Sequence, residues 1–375
     1  MTPRQPRDGL PPRFRCQFPP RIARGEMRER NFVSSRCRIA LLGFGTVGSA
    51  IARRFNSTES SPSDPQLTHI FDRRAGEKRG RLHADSLTWT SSIDDVLQSD
   101  VDVVVEAIGG LEPAVEWIRA ALLAGKSVVT ANKQVIARHG ADLATLAARQ
   151  GRQLRFEGAV GGAIPIVRAI GEGLAGDRIT RIVAILNGTT NFALSRIEAT
   201  GCGLDEAIRE ARDRGYAEAD VSADLDGHDA AAKLAILCRL AFGLRVDPSQ
   251  IELRSAAAIG ADDFARAKRR AATIRQIAFA DYDRAAARLT AWVAPIDVDR
   301  SSIFARVHGP QNAALITGAH SGEIGIFGAG AGGDATAVAM IGDVRAIARD
   351  KHAIVPAPVL TSEFRMLNSL LLEAS

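Results

Sequence analysis

At 375 residues, 46% hydrophobic and 24% charged, the chain has enough apolar material for a large core in about two domains, which excludes a disordered or fibrous protein. No run of about 18 apolar residues occurs, so no membrane-spanning helix is expected. The net charge is +5, but residues 1–36 hold nine arginines against three acids, which leaves about −1 for the rest; with aromatics at 5%, nucleic acid is not an expected partner of the folded part.

Cys16, Cys37, Cys202 and Cys238 are scattered without paired spacing. That pattern argues against a disulfide framework or a zinc site and for a reducing, cytoplasmic setting. Residues 1–36, with prolines at 3, 6, 11, 12, 19 and 20, show no hydrophobic period and read as a disordered basic tail. A targeting arm or a nucleic-acid arm would also fit, but the stretch is Pro-rich rather than Ser-rich and amphipathic, so a translation start at Met27 is the simpler account.

From Arg38 to Phe55 the text becomes an apolar strand, a glycine turn and a helix. Gly43, Gly45 and Gly48 form Gly-x-Gly-x-x-Gly with those flanks, the pattern in which a dinucleotide pyrophosphate meets a helix N-terminus. Strand Leu67–Phe71 ends at Asp72, where an acid meets the adenosine ribose; Arg73 and Arg74 follow and suit a 2′-phosphate instead. These three residues leave NAD and NADP both open. A strand at 102–110, a helix from Pro113 to Ala124 and strand Ser127–Thr130 follow, the last delivering Lys133 into the crevice beyond the strand ends, unless it is a solvated lysine. Helix Gly140–Gln150 and strand Gln153–Phe156 complete a βα alternation that predicts an α/β, Rossmann-type, doubly wound parallel sheet over residues 37–165.

The exit Glu157-Gly-Ala-Val-Gly-Gly-Ala-Ile-Pro165 is too glycine-rich for regular structure, and its free carbonyls suit a hard cation or a hinge. Strand Arg181–Leu186 leads through Asn187-Gly-Thr-Thr190 into a helix whose free N–H groups and hydroxyls receive an anion, unless the motif is simple capping by Asn or Thr. Glu218, Asp220, Asp224, Asp226 and Asp229 then crowd one loop before an Ala-rich helix over 228–242. On it Asp229 and Lys233 stand four apart on one face. Together they suit a site that holds a cation and moves a proton, or else an acidic surface loop followed by an ordinary ion pair. Strands are expected near Thr273–Phe279, Ala286–Ala294 and Ile303–Val307, and the glycine-rich 326–336 opens a helix to about Ala348 that returns to the first domain. The expected division is an α+β substrate domain over 166–333 and a C-terminal helical segment over 334–375.

In collinear order over roughly 38–350, Gly43-Phe-Gly-Thr-Val-Gly48, Thr130-Ala-Asn-Lys133, Glu157–Pro165, Asn187-Gly-Thr-Thr190 and the 215–233 block resemble homoserine dehydrogenases. The resemblance implies NAD(P)-dependent interconversion of L-homoserine and L-aspartate 4-semialdehyde on the route to threonine and methionine, by a homodimer whose second domain also dimerises. It makes Lys233 the proton donor and acceptor and Lys133 a second active-site lysine beside the nicotinamide. Glu218, Thr189, Asp224 and Asp229 match substrate positions. Gly43, Phe44, Gly45, Thr46, Val47, Gly48, Asp72, Arg73, Thr130 and Gly332 match the cofactor side. A sodium ion is implied at Glu157 and the carbonyls of Val160, Gly162 and Ile164. The chemistry agrees: an ammonium beside an aldehyde oxygen stabilises its growing charge and supplies the proton as hydride reaches carbon. The regulatory domain or fused kinase of many family members has no room before Ser375, so feedback inhibition through one is not expected. A silent cofactor-sensing protein and a dehydrogenase for another small acid are the rival readings.

Overall fold

Short apolar runs alternate with helices through the first half of the chain, and in the computed structural model, which describes residues 36–57, 64–82, 87–353, 355 and 360–367, these runs lie side by side. The basic tail over 1–35 falls outside the described residues. Strands β1 (Arg38–Leu42), β2 (Gln66–Phe71), β3 (Thr88–Thr90), β4 (Val103–Glu106), β5 (Ser127–Thr130) and β6 (Leu154–Arg155) form a parallel sheet in the order β3-β2-β1-β4-β5-β6. Alternate side chains enter different cores: Ala40, Leu42 and Val104 face the helices at 114–123 and 133–149, whereas Ile39, Leu41 and Val105 face Ile51, Ala337, Met340 and Val344. Burial on both faces is why these strands read as unbroken apolar runs. The same packing brings helix Gly333–Arg349 back onto the first sheet.

Register fixes the working edge. Leu42 pairs with Phe71 and Glu106, and Glu106 with Thr130, so the carboxyl ends of four neighbouring strands finish level. At the first of them Gly43 takes φ +95°, and a Cβ at Gly48 would lie 1.9 Å from the Gly43 carbonyl oxygen. No larger residue fits either place without moving the turn.

One boundary differs from the sequence expectation: the helix begins at Lys133, not Gly140, with Asn132 accepting the Val135 N–H at 3.2 Å. Gly140 is interior to it because Arg239 occupies the space a side chain would need, 2.6 Å from an added Cβ.

The second sheet contains β7 (Ile179–Ile185), β8 (Glu252–Leu253), β9 (Ala272–Asp283), β10 (Arg288–Asp299), β11 (Gln311–Gly318), β12 (Gly322–Ala329) and β13 (Arg365–Leu367), ordered β12-β11-β7-β9-β10-β13 with β8 on β10. Helix His228–Phe242, at the bounds expected, packs between β7 and β9 on one side and helix Lys133–Arg149 on the other. The strand expected at Ile303–Val307 is instead a 3-10 turn over Ile303–Arg306. Buried Arg275 donates to the Ala305 and Val307 carbonyls, so those acceptors are lost to a ladder. Nor is the C-terminal segment helical throughout: the helix ends at Arg349, and Arg365–Leu367 pairs in parallel with Arg288–Thr290 of β10. Among the described residues no helix is long and apolar enough to cross a membrane, and Cys37, Cys202 and Cys238 are free thiols.

Candidate active site

A cavity of about 1700 Å³ opens beside the carboxyl edge of the first sheet. Its wall brings together Thr46, Val47, Lys133, Thr189, Glu218, Asp224, Asp229, Lys233 and Gly332. At its centre is Asp229, 6% exposed in the first turn of helix His228–Phe242, where the helix dipole favours an acid. One carboxylate oxygen accepts from Lys133; the other accepts from Lys233 at 2.8 Å and from the Asn187 amide at 2.9 Å. Three elements distant in sequence therefore converge on one anion. Burial alone would push the Asp229 pKa up, but the two ammonium groups hold it well below the usual carboxylate range.

Lys233 is pinned twice, to Asp229 and to the Leu186 carbonyl at 2.8 Å, which leaves one of its three N–H groups unassigned. Lys133 is more open, its side chain 39% exposed against 13% for Lys233. Burial pulls the Lys133 pKa down, yet Asp229, Asp224 and Glu218 outweigh it and the net shift is upward, so this amine stays an ammonium. Of the two readings left open for the helix start at Asn187, capping is the one seen, and the capping side chain also reaches the acids. Its oxygen caps the Thr190 N–H at 2.8 Å, and its amide bridges Asp224 at 2.6 Å and Asp229. Burial, and next the Asp229 charge, raise the Asp224 pKa against that Asn187 bond.

Not all of the acidic loop takes part. Asp226 accepts from Ser255 at 2.6 Å and does not line the cavity, whereas Glu218 and Asp220 are exposed on its wall, Asp220 accepting the Ser222 N–H at 2.9 Å. The Thr189 hydroxyl donates to the Tyr216 carbonyl at 2.7 Å and so ties the helix start to that loop.

A second cavity, about 610 Å³, is lined by Gly43, Phe44, Gly45, Asp72 and Arg73. A Cβ at Gly45 would meet nothing within 4 Å, so this backbone faces open space, as close approach by a pyrophosphate requires. Asp72 accepts from the Phe44 N–H (2.9 Å), the Arg74 N–H (2.9 Å) and Lys78 (2.6 Å). Burial opposes its ionisation, but the Lys78 bond and the two N–H groups prevail and lower its pKa. Gly48 and Thr130 line neither cavity. The Thr130 hydroxyl donates to Glu106 and accepts the Asn132 N–H at 2.9 Å. Sequence reasoning missed Glu106, which is fully buried and also accepts from the Ile108 and Gly109 N–H groups, shaping the turn beside Gly43. Its one signal is an acid ending an otherwise apolar strand.

In the exit loop the Glu157 carboxylate turns onto the Val167 and Arg168 N–H groups, at 2.8 and 2.9 Å. That side chain is therefore committed to a helix start, and residues 157–159 form a 3-10 turn rather than irregular chain. Burial, and next Asp343, push the Glu157 pKa up to about 7. The Ile164 carbonyl accepts the Ile166 N–H at 2.9 Å, whereas the buried Val160 and Gly162 carbonyls accept no hydrogen bond from the described residues. Buried carbonyls without donors fit an oxygen-seeking cation. Among the described residues no cluster of three or more His, Cys, Asp or Glu suits a metal.

Two family models match: homoserine dehydrogenase, NAD binding domain, over 43–157, and homoserine dehydrogenase over 165–344. Homoserine dehydrogenase from Corynebacterium glutamicum is 40% identical over 329 residues, 84% of this chain and 72% of that one. The Synechocystis protein of the same name is 39% identical, covering 82% and 72%. The chain belongs to the homoserine dehydrogenase family. Among solved homoserine dehydrogenases, that of Thiobacillus denitrificans superposes with a TM-score of 0.79 at 33% identity, covering 88% of this chain and 79% of its own. A hyperthermophilic archaeal homoserine dehydrogenase in complex with NADPH gives 0.69 at 28%, covering 86% and 100%. Family membership makes the chain an NAD(P)-dependent oxidoreductase acting on a CH–OH group. The two homoserine dehydrogenase models meet across 157–165, the glycine-rich exit.

Proposed function

We propose that the two cavities serve the interconversion of L-homoserine and L-aspartate 4-semialdehyde, on the route to threonine and methionine, with Lys233 as the acid and base. One observation carries this: Lys133 and Lys233 meet on buried Asp229 in the cavity that the glycines at 330–333 also line. When bound, the nicotinamide supplies or removes the hydride. The remaining N–H of Lys233 faces the substrate oxygen, giving it a proton in reduction and taking one in oxidation. Lys133 adds a second positive charge beside that oxygen, and Asp229 fixes both amines where the charge develops. Glu218 and Asp224 receive the substrate ammonium; the first N–H groups of helix Gly188–Thr200, that of Thr189 among them, receive its carboxylate.

The Val160, Gly162 and Ile164 carbonyls, with the backbone of the Glu157 turn, hold a sodium ion whose part is to fix the join between the domains. A second copy of the chain covers the edge at β12, where Phe327 is 65% exposed, and the homodimer works in the cytoplasm. The test is NAD(P)+ reduction on adding L-homoserine, by wild type and by Lys233→Ala. Turnover with another alcohol but not homoserine would overturn the substrate assignment, and wild-type turnover by the variant would overturn the role of Lys233.

A further inference from the structure

Lys133 opens helix Lys133–Arg149, and its flexible four-carbon stem alone does not fix where its amine rests against Asp229. The backbone beneath it is held from the neighbouring helix His228–Phe242, by Arg239. Arg239 is 5% exposed, and its Nη1 donates to the Ile136 carbonyl at 2.5 Å and its Nη2 to the Ala137 carbonyl at 2.6 Å. Both acceptors lie about one turn from Lys133, and each carbonyl has a second lone pair to offer besides the one its own helix uses. Gly140 supplies the socket, since a Cβ there would lie 2.6 Å from Nη1. On its other side the same helix start is tied to the first sheet, where the Asn132 amide donates to the Gly110 carbonyl at 2.6 Å.

Packing alone does not account for a cation in this place. Among the described residues Arg239 forms no ion pair and its Nε has no acceptor. Burial, and next Arg245, lower its pKa, with Asp142 opposing them. A buried charge without a counter-ion costs more than an apolar side chain of the same volume. Methionine or leucine would fill the space at less cost, so what the guanidinium adds is its grip on two carbonyls.

We propose that Arg239 is a positioning residue: it clamps the start of helix Lys133–Arg149 to helix His228–Phe242 and so sets where the Lys133 amine stands against Asp229. The Lys133–Asp229 pair and this clamp give the two helices two polar attachments, and two attachments keep one helix from rolling on the other. The inference rests on the reading of Lys133 as an active-site lysine.

Arg239→Met keeps the volume and removes both donors. Its kcat for homoserine oxidation should fall by at least about tenfold, inside the loss that a misplacement of about 1 Å causes. Its urea midpoint should not fall, because an unpaired buried charge has gone. Wild-type kcat in the folded variant overturns the proposal. In a Lys133→Ala background the same substitution should cost no further turnover, since the residue it acts through is gone; an undiminished loss there overturns the route through Lys133. Gly140→Ala approaches the clamp from the other helix: alanine favours that helix but displaces the guanidinium, so kcat should fall without loss of stability. Wild-type kcat in Gly140→Ala overturns the clamp even if Arg239→Met does not fold.

A readout without turnover separates the clamp from the reaction. Reductive methylation of Lys133 by formaldehyde and cyanoborohydride, followed by peptide mass spectrometry, should be about tenfold faster in Arg239→Met, the change in free amine for one unit of pKa. Lys233 should keep its rate. An unchanged Lys133 rate, or an equal rise at Lys233, overturns the clamp. A selective rise at Lys133 in a chain that does not oxidise homoserine would refute the proposed reaction and leave the clamp standing.

Discussion

Asp229 and Glu157 are both carboxylates almost wholly withdrawn from water, 6% and 3% exposed, yet their environments drive them in opposite directions. Asp229 sits between two ammonium groups, which keep it ionised far into acid. Glu157 has backbone N–H donors, a distant share of Arg168 and a neighbouring acid, Asp343, and its pKa rises to about 7. Burial is the same in both places, so the partners decide. A carboxylate that must hold two amines in register needs full charge at all working pH values. One that anchors a loop through backbone N–H groups does not.

The largest effect is expected where the first arrangement is broken on its reacting side. Lys233→Ala should lower kcat by at least about a hundredfold, the usual scale for a positioned acid or base, while the affinity for adenosine 2′,5′-bisphosphate stays within about twofold. Steady-state kinetics beside calorimetry separates the two. Breaking the same arrangement from its centre should cost stability as well: Asp229→Ala removes the buried carboxylate that both amines share, a change of about 3–5 kcal/mol, measurable by urea unfolding. The wild type should carry the matching pH signature. Because the folded pKa of Asp229 is depressed, its contribution is complete above the ordinary aspartate value and is lost as pH falls below it.

How much of this was visible beforehand depends on range. Gly43, Gly45 and Gly48 declare their turn locally, and Asp229 and Lys233 lie one helical turn apart, so a pattern confined to a few residues showed both. The meeting of Lys133 with Asp229 crosses 96 residues, and only the packing of helix Lys133–Arg149 on helix His228–Phe242 creates it. Gly140 misled for a related reason. Inside a helix it costs about 1 kcal/mol against alanine, and it is there to admit Arg239 from another helix. Likewise Ile303–Val307 has the apolar content of a strand, and the buried guanidinium that bends it comes from β9. The capture of Asp72 by Lys78 lay only six residues apart but had no period to reveal it.

On the Glu157 side the comparison predicts smaller effects of opposite sign. A raised folded pKa means the folded chain keeps a proton that the unfolded chain releases from about 4.5, so this contribution to stability is present in acid and is lost as pH climbs to about 7. Glu157→Gln should flatten that descent in urea midpoints across the window, and an unaltered slope would assign it to other groups.

The smallest expected effect belongs to the cation. Exchanging choline chloride for sodium chloride at equal ionic strength should raise the melting temperature by roughly 2 °C, as mass action on the folded state requires when the ion exceeds its dissociation constant. A cation on the carbonyls of Val160 and Gly162 favours an ionised Glu157 in the same loop, and by linkage an ionised Glu157 favours the cation. The sodium shift should therefore grow from pH 6 to pH 8 in the wild type and lose that growth in Glu157→Gln. Identical melting in both salts at both pH values would remove the ion from the loop. A shift that ignores pH would place it away from Glu157.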